Sequence, residues 1–302
     1  MRVAVIGIGS NSVRMLIADI ENHIGHRVRR ERAGTRLFAG LDAQRRLSPQ
    51  SMKTSVDSVA AMAKSALEAG AEETLLFATS ATRDASNSDV FASLIRQTSG
   101  LELQILPGES EAQLSFFGAS GKGQCGVIDI GGGSTEIIIG NGVNLSSSFS
   151  CQMGAVRLSR LYPLQSCPEM TAVIDASSRI LEEKLSTLPA LLPAPAWYGT
   201  GGTFTTLAAM VNGVPWTDRT HMHGTKLTCQ QIEKEASLLA PMSPEERKLL
   251  PGLQPNRADI IVHGICILIA CMRTLQIPEI TVSEYGNLDG FLKYHYQLDE
   301  LF

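Results

Sequence analysis

The sequence has no CxxC pair. Its six cysteines stand apart, at 125, 151, 167, 229, 266 and 271. That spacing excludes a zinc ribbon or a dithiol redox centre, and the expectation is reduced thiols in a cytoplasmic protein. The start, MRVAVIGIGS, reads as a strand rather than a secretory leader. No hydrophobic run is long enough to cross a bilayer. The greasiest stretch, IIVHGICILIACM from Ile260 to Met272, carries His263 and reads as a buried helix, so no membrane partner is expected. There is no basic excess either: 26 Lys and Arg stand against 30 Asp and Glu, for a net charge of −4. A broad nucleic-acid surface is thereby excluded, but a polyanion held by a local arginine cluster is not. Tryptophan is scarce, and Trp197 and Trp216 read as packing residues. What is present is ordinary for a soluble globular protein: 44% hydrophobic and 19% charged residues. A chain of 302 residues suits two domains or one large one.

Three times an apolar strand meets a glycine-rich turn, at 5–12, 127–136 and 197–205. More strand follows the first two, and a helix follows the third. This differs from the doubly wound order, in which helix follows strand at once. Between these units the spacing predicts a helix from Ser48-Pro49 to Gly70, with Ser48 as N-cap and Val56, Val59, Met62, Ala63, Ala66 and Leu67 on one face. TLLFATSAT reads as a buried strand, SDVFASLIRQTSG as a helix closed by Gly100, and LELQIL as a strand. A helix begins near Glu109. Further helices are expected at 170–187, 228–240, 243–250 and 257–276, and EITVSEYGNLDGFLKYHY reads as a last strand, a glycine turn and a closing helix. The glycine-rich 118–126 marks a boundary. Domains are expected at 1–120 and 121–287, with the closing helix, about 288–302, packing back on the first.

The turns carry the chemistry. Gly9, Ser10, Asn11 and Ser12 offer small donors, yet no acid precedes Asp19. DIGGGSTE, Asp129 to Glu136, is the sharpest signal. Gly131, Gly132 and Gly133 permit positive φ and close backbone approach. Successive N–H groups in such a turn form an anion-binding concavity, and Ser134 and Thr135 add hydroxyls. An acid at each end points to a divalent cation between Asp129 and Glu136. GTGGTFT, Gly199 to Thr205, opens a helix, a place that takes anions readily. Glu109 and Glu111 in ESEA could simply favour a helix dipole. Arg14, Arg83 and Arg157 could be solvated charges or phosphate forks. His221 and His223 in HMH receive no role, and His263 reads as a core histidine.

Seven segments, IGIGSNSVRM, ATSATRDASN, PGESEAQLSFFGA, VIDIGGGSTEIIIG, GAVRLSRLYP, YGTGGTFTTLAAM and NRADIIVHG, run in order from residue 5 to about residue 265. Together they resemble the exopolyphosphatase/guanosine-pentaphosphate phosphohydrolase family of the actin–hexokinase–Hsp70 superfamily, in its short two-domain form. The resemblance implies an α/β protein of two actin-like (ribonuclease H-like) domains facing a central cleft. It implies a homodimer and Mg²⁺-dependent release of terminal phosphate from inorganic polyphosphate or guanosine pentaphosphate. Glu111 matches the catalytic base. Asp129 and Glu136 match the acidic metal and water positions. Arg83 and Asn87 match phosphate-binding residues. Gly9, Ser10, Asn11, Ser12, Gly131, Gly132, Gly133, Ser134, Thr135, Gly201, Gly202 and Thr203 match the phosphate cradle, with Arg14 beside it. Three positions depart from the family pattern. Gly7 stands where AIDIGSNS has aspartate, Ser110 replaces the first glutamate of EEA, and Leu288 replaces the arginine of GLREG. Two readings of activity follow: an active phosphohydrolase, or a binding and regulatory member with attenuated catalysis. A sugar or acetate kinase fits GTGGT and the Glu111 segment less well.

Overall fold

The computed structural model describes residues 1–301 apart from 122, 165, 190 and 192. In chain order it contains β1 (Arg2–Ile8), β2 (Ser12–Glu21), β3 (Ile24–Gly34), α1 (Pro49–Glu68), β4 (Glu73–Ala78), α2 (Ser80–Arg83), α3 (Ser88–Ser99), β5 (Gln104–Ile105) and α4 (Gly108–Ala119). There follow β6 (Gln124–Ile130), β7 (Thr135–Asn141), β8 (Asn144–Cys151), α5 (Ala155–Leu161), α6 (Glu169–Ser186), β9 (Trp197–Thr200), α7 (Gly202–Asn212) and α8 (Arg219–Met222). The chain ends with β10 (Lys226–Thr228), α9 (Cys229–Leu239), α10 (Pro244–Arg247), α11 (Ile261–Thr274), β11 (Glu279–Val282), α12 (Asn287–His295) and β12 (Glu300–Leu301).

Two compact units result, Met1–Gly118 with Asn287–Phe302, and Ala119–Gly286. The first holds a sheet ordered β12-β3-β2-β1-β4-β5 and the second a sheet ordered β10-β11-β9-β6-β7-β8. Both are built alike. A hairpin-led antiparallel meander (β1–β2–β3, β6–β7–β8) lies beside a parallel strand (β4, β9) paired to its first member. This order sets each glycine turn next to the end of the parallel strand: Thr79 N, just past β4, donates to Ile8 O.

Local sequence explains the elements. Ser48 Oγ accepts from Ser51 N, Pro49 opens α1, and Gly70 at φ 80° follows its end. In the second unit, alternation sends Ile128, Ile130, Ile137, Ile139 and Phe149 into the main core. Every residue of α11 from Ile261 to Met272 is buried, as the apolar run requires. In the first unit Val3, Val5, Leu16, Phe77, Leu288, Phe291 and Leu292 form a core under α12. Among the described residues no helix is long and apolar enough to cross a membrane, and all six cysteines are free.

Several boundaries differ from expectation. α11 begins only at Ile261, because Pro255–Arg257 forms a 3₁₀ turn. LELQIL pairs only at Gln104–Ile105, and the helix expected at 243–250 is a single turn, Pro244–Arg247. The edge strands β10 and β12 are too short to show a period of two.

Candidate active site

In the first unit the turn between β1 and β2 is fixed through its carbonyls. Ser12 O accepts from Gly9 N at 3.0 Å, Ser10 O from Phe38 N at 2.9 Å, and Asn11 O from both Thr35 N and Arg36 N. Ser10 Oγ and Ser80 Oγ share a hydrogen bond of 2.8 Å. With the carbonyls engaged by the protein, the loop can offer a ligand mainly donors. One is buried and unsatisfied among the described residues: Asn11 Nδ2. An orphaned buried donor costs about 1–3 kcal/mol unless a partner arrives.

Glu111 lies in the first turn of α4, buried, with its N–H donating to Pro107 O. Arg83 ends α2 and faces it. Its Nη1 donates to Glu111 Oε2 at 3.1 Å and to Leu106 O at 2.8 Å. Its Nη2 is buried with no hydrogen-bond partner among the described residues. A guanidinium half spent on a carboxylate, with a buried donor to spare, is suited to an incoming oxyanion. Arg14 donates from Nη2 to Asn287 Oδ1 at 3.0 Å and sits cross-strand from Gly7. The resemblance puts Asn87 with the phosphate-binding residues, but here both ends of its amide go to Leu47. Nδ2 donates to Leu47 O, and Oδ1 accepts from Leu47 N at 2.8 Å. Asn87 is a backbone anchor in this structure.

In the second unit strand register builds a polar row. Thr200, Asp129, Glu136 and Ser150 are register partners on β9, β6, β7 and β8, so their side chains share one face. Asp129 and Glu136 are 9% and 1% exposed. Glu136 Oε1 accepts from Ser150 Oγ at 2.7 Å, and Thr200 Oγ1 donates to Tyr285 O at 2.6 Å. Burial, then the neighbouring Glu136 carboxylate, pushes the Cys151 thiol up to about 12, which keeps it protonated and inert.

The loop between the two acids is held from behind by α5. Ala155 N donates to Gly131 O, Val156 N and Arg157 N to Gly132 O, and Arg157 Nε to Gly133 O at 2.6 Å. Gly131 N donates to Ser134 O at 3.0 Å, and Thr135 Oγ1 donates to Met153 O at 2.5 Å. Gly131, Gly132 and Gly133 are not at positive φ, contrary to the conformational use expected for them. What this stretch needs is close backbone approach. A Cβ at Gly154 would come within 2.5 Å of Gly132 C and O, so the smallness of Gly154 lets α5 meet the loop. Positive φ occurs instead at Gly201, at 97°. A Cβ there would come within 2.9 Å of Asp129 Oδ1 and 2.8 Å of Ile130 O. The start of α7 is thus pressed against the end of β6. The buried Thr203 side chain lies under α11, where a Cβ at Gly264 would meet its Oγ1.

One residue had no assigned role from its sequence context, although its segment NRADIIVHG carried resemblance. The Arg257 guanidinium covers Gly202, the first residue of α7, where a Cβ would fall inside it. Its Nε donates to Gln254 Oε1. Separation of 55 positions along the chain hides this pairing from any local pattern; the signal available was glycine at a helix start together with an unassigned arginine.

Among the described residues no group of three or more His, Cys, Asp or Glu is gathered to hold a metal. Asp129 and Glu136 therefore offer a cation two hard carboxylates and no closed cage. That donor set fits Mg²⁺, which keeps several waters and binds through one or two carboxylates plus substrate phosphates. His221 lies on a short helix and bonds Asp218 through Nδ1 at 2.8 Å, and His223 packs its ring against Tyr285.

The model of the Ppx/GppA phosphatase family matches residues 16–296. Exopolyphosphatase 2 of Mycobacterium tuberculosis is 34% identical, over 96% of this chain and 97% of its own length. The guanosine-5'-triphosphate,3'-diphosphate pyrophosphatase of Photobacterium profundum is 28% identical, over 96% of this chain but 58% of its own length. The crystal structure of the Aquifex aeolicus Ppx/GppA family member is 28% identical and superposes with a TM-score of 0.81 over 98% of each chain. The two α/β units accordingly have the actin-like fold, and the chain belongs to the Ppx/GppA phosphatase family.

Proposed function

We propose that this phosphoanhydride hydrolase releases terminal phosphate from inorganic polyphosphate by water attack. The observation that carries the reading is the cross-strand pair Asp129–Glu136 at the ends of a loop whose carbonyls are held by α5. Phosphoryl transfer needs positioning and charge neutralisation more than covalent chemistry, and this chain is furnished for both. Polyphosphate is favoured over guanosine pentaphosphate because the exopolyphosphatase relative is matched along 97% of its length and the pyrophosphatase relative along 58%.

The roles divide as follows. Asp129 and Glu136 hold Mg²⁺. When bound, the cation would neutralise charge on the phosphate oxygens. Backbone donors of 131–135 and of the start of α7 hold phosphate, with Arg257 over Gly202 as the fork. In the other unit Arg83 and the Gly9–Ser12 loop hold phosphate. Glu111, whose Oε2 accepts from Arg83, takes the proton of the attacking water. The water oxygen bonds to the terminal phosphorus, and the bridging P–O bond breaks to leave a chain one phosphate shorter.

Phosphate release from long-chain polyphosphate is expected to fall to background in excess EDTA and to return with Mg²⁺. Ser150→Ala, which removes the bond orienting Glu136, should raise the Mg²⁺ needed for half-maximal rate about tenfold. An EDTA-resistant rate would remove Asp129 and Glu136 as a metal site.

Gly7 bears on the attenuated reading. A Cβ there would come within 3.0 Å of Phe77 Cζ and 3.1 Å of Leu288 Cδ2, so two of the three departures from the family pattern are neighbours. The pocket is filled with hydrocarbon. A carboxylate at position 7 would crowd both side chains and lie cross-strand from Arg14. Gly7→Asp is expected to leave kcat unimproved, to raise KM severalfold by drawing Arg14 away, and to cost about 1–3 kcal/mol of stability through overpacking. Steady-state kinetics across a Mg²⁺ titration check this. A large rise in kcat would instead identify the natural protein as an attenuated member.

A further inference from the structure

Arg247 ends the one-turn helix α10 and is 3% exposed. Its partners are backbone carbonyls. Nε donates to Leu239 O at 2.9 Å, Nη2 to Ala240 O at 3.4 Å, and Nη1 to Ala258 O at 2.9 Å. Burial lowers its pKa from the ordinary arginine value, with Asp259 countering. A guanidinium is costly to desolvate, and a methionine would fill the same space without that cost. What the fork supplies is geometry: three donors in one plane join the end of α9 to residue 258.

Those two points are the base of a loop, 241–257, that lies along α7. Gly252, at φ 78°, touches its middle, where a Cβ would come within 2.6 Å of Ala209 C. Arg257 covers its start at Gly202. Ala258, the carbonyl that Arg247 grips, directly follows Arg257. Within the turn, Arg257 N donates to Gln254 O at 2.9 Å, Ala258 N to Pro255 O at 3.3 Å, and Ile260 N to Arg257 O at 2.9 Å.

We propose that Arg247 is a positioning residue for the reaction: by closing the base of the 241–257 loop it fixes the Arg257 guanidinium over the start of α7. The proposal rests on the reading that Arg257 grips substrate phosphate. Arg247 touches no substrate. A misplacement of about 1 Å in a binding group can cost about a hundredfold in rate, so the tether matters even at a distance.

The test is a double-mutant cycle in which kcat/KM for long-chain polyphosphate and the thermal transition are both measured. Arg247→Lys keeps the charge but cannot reach all three carbonyls. Arg257→Gln removes the fork. The expected result is a loss of about ten- to a hundredfold in kcat/KM for each, mainly through KM, with the double variant no worse than Arg257→Gln alone. Losses that multiply would overturn the proposal, as would full activity in Arg247→Lys beside a damaged Arg257→Gln. Full activity in Arg257→Gln would overturn the phosphate-gripping reading itself, a separate outcome. Should Arg247→Lys fail to fold, Arg247→Gln, which buries no charge, takes its place. Failure of both to fold would make Arg247 a folding residue and end the proposal.

Discussion

Glu111→Gln is expected to lower kcat for polyphosphate hydrolysis by about a hundred- to ten-thousandfold, the span that a positioned general base contributes, with KM changed little. The amide is nearly isosteric and can still accept from Arg83, so the Leu106–Arg83–Glu111 arrangement should survive. What it loses is the capacity to take a proton. Glu111→Asp separates basicity from placement. It keeps the carboxylate but draws it back toward α4 by one methylene, and a loss of about a hundredfold is expected from geometry alone. Both variants should bind the product phosphate as the natural protein does. A Glu111→Gln enzyme within threefold of the natural rate would leave Glu111 only the task of orienting Arg83.

The residues of this site differ in how far their sequence revealed them. The three strand–turn units at 5–12, 127–136 and 197–205 were legible because alternation and glycine are local signals. So was α1, whose Ser48-Pro49 start and Gly70 end are a few atoms from the elements they bound. The acid pair was legible as two ends of one hairpin; that Asp129 and Glu136 are register partners follows from the four-residue turn between their strands. Glu111 was different. Its own neighbourhood gave only a helix dipole, and the candidate role came from resemblance. Its pairing with Arg83 spans 28 positions, and no local pattern carries it. Asn87 shows the limit of motif transfer: its position matched, but the fold closes its amide onto Leu47. Gly154, Arg247 and Arg257 were invisible for a common reason. Each acts by touching backbone outside its own element, 7 to 11 positions away for Arg247 and farther for Gly154 and Arg257, and such a contact leaves no periodicity and no motif of its own.

The same kind of contact makes the second large effect. Gly290→Ala is expected to damage the first unit more than any change of comparable size in its core. A Cβ at Gly290 would come within 2.6 Å of Leu114 C and 2.9 Å of Gly118 N, and still nearer to Leu114 O. These are backbone atoms of α4, so no side chain can rotate to make room, and one helix must move. α12 is the better anchored of the two. Asn287 accepts from Arg14, the Asp289 carboxylate pairs with Arg30 with only 1% of its surface exposed, and Phe291 stacks on Phe77 at 4.9 Å. α4 is therefore the element that yields. It carries Glu111 one turn before Leu114 on the face that meets α12. Displacement of packed backbone belongs to the severe class of substitutions, above about 4 kcal/mol when nothing relaxes and less where α4 shifts. A loss of about 3 kcal/mol would lower the thermal transition by roughly 10 °C. Well below that transition, the folded variant should still lose about a hundredfold in kcat as the Glu111 carboxylate moves with its helix. Its affinity for Mg²⁺, for which the proposed ligands Asp129 and Glu136 lie in the other unit, should not change. That split between stability and kcat on one side and metal affinity on the other separates a displaced helix from general unfolding. An unchanged transition together with an unchanged kcat would mean that α4 and α12 do not meet at Gly290.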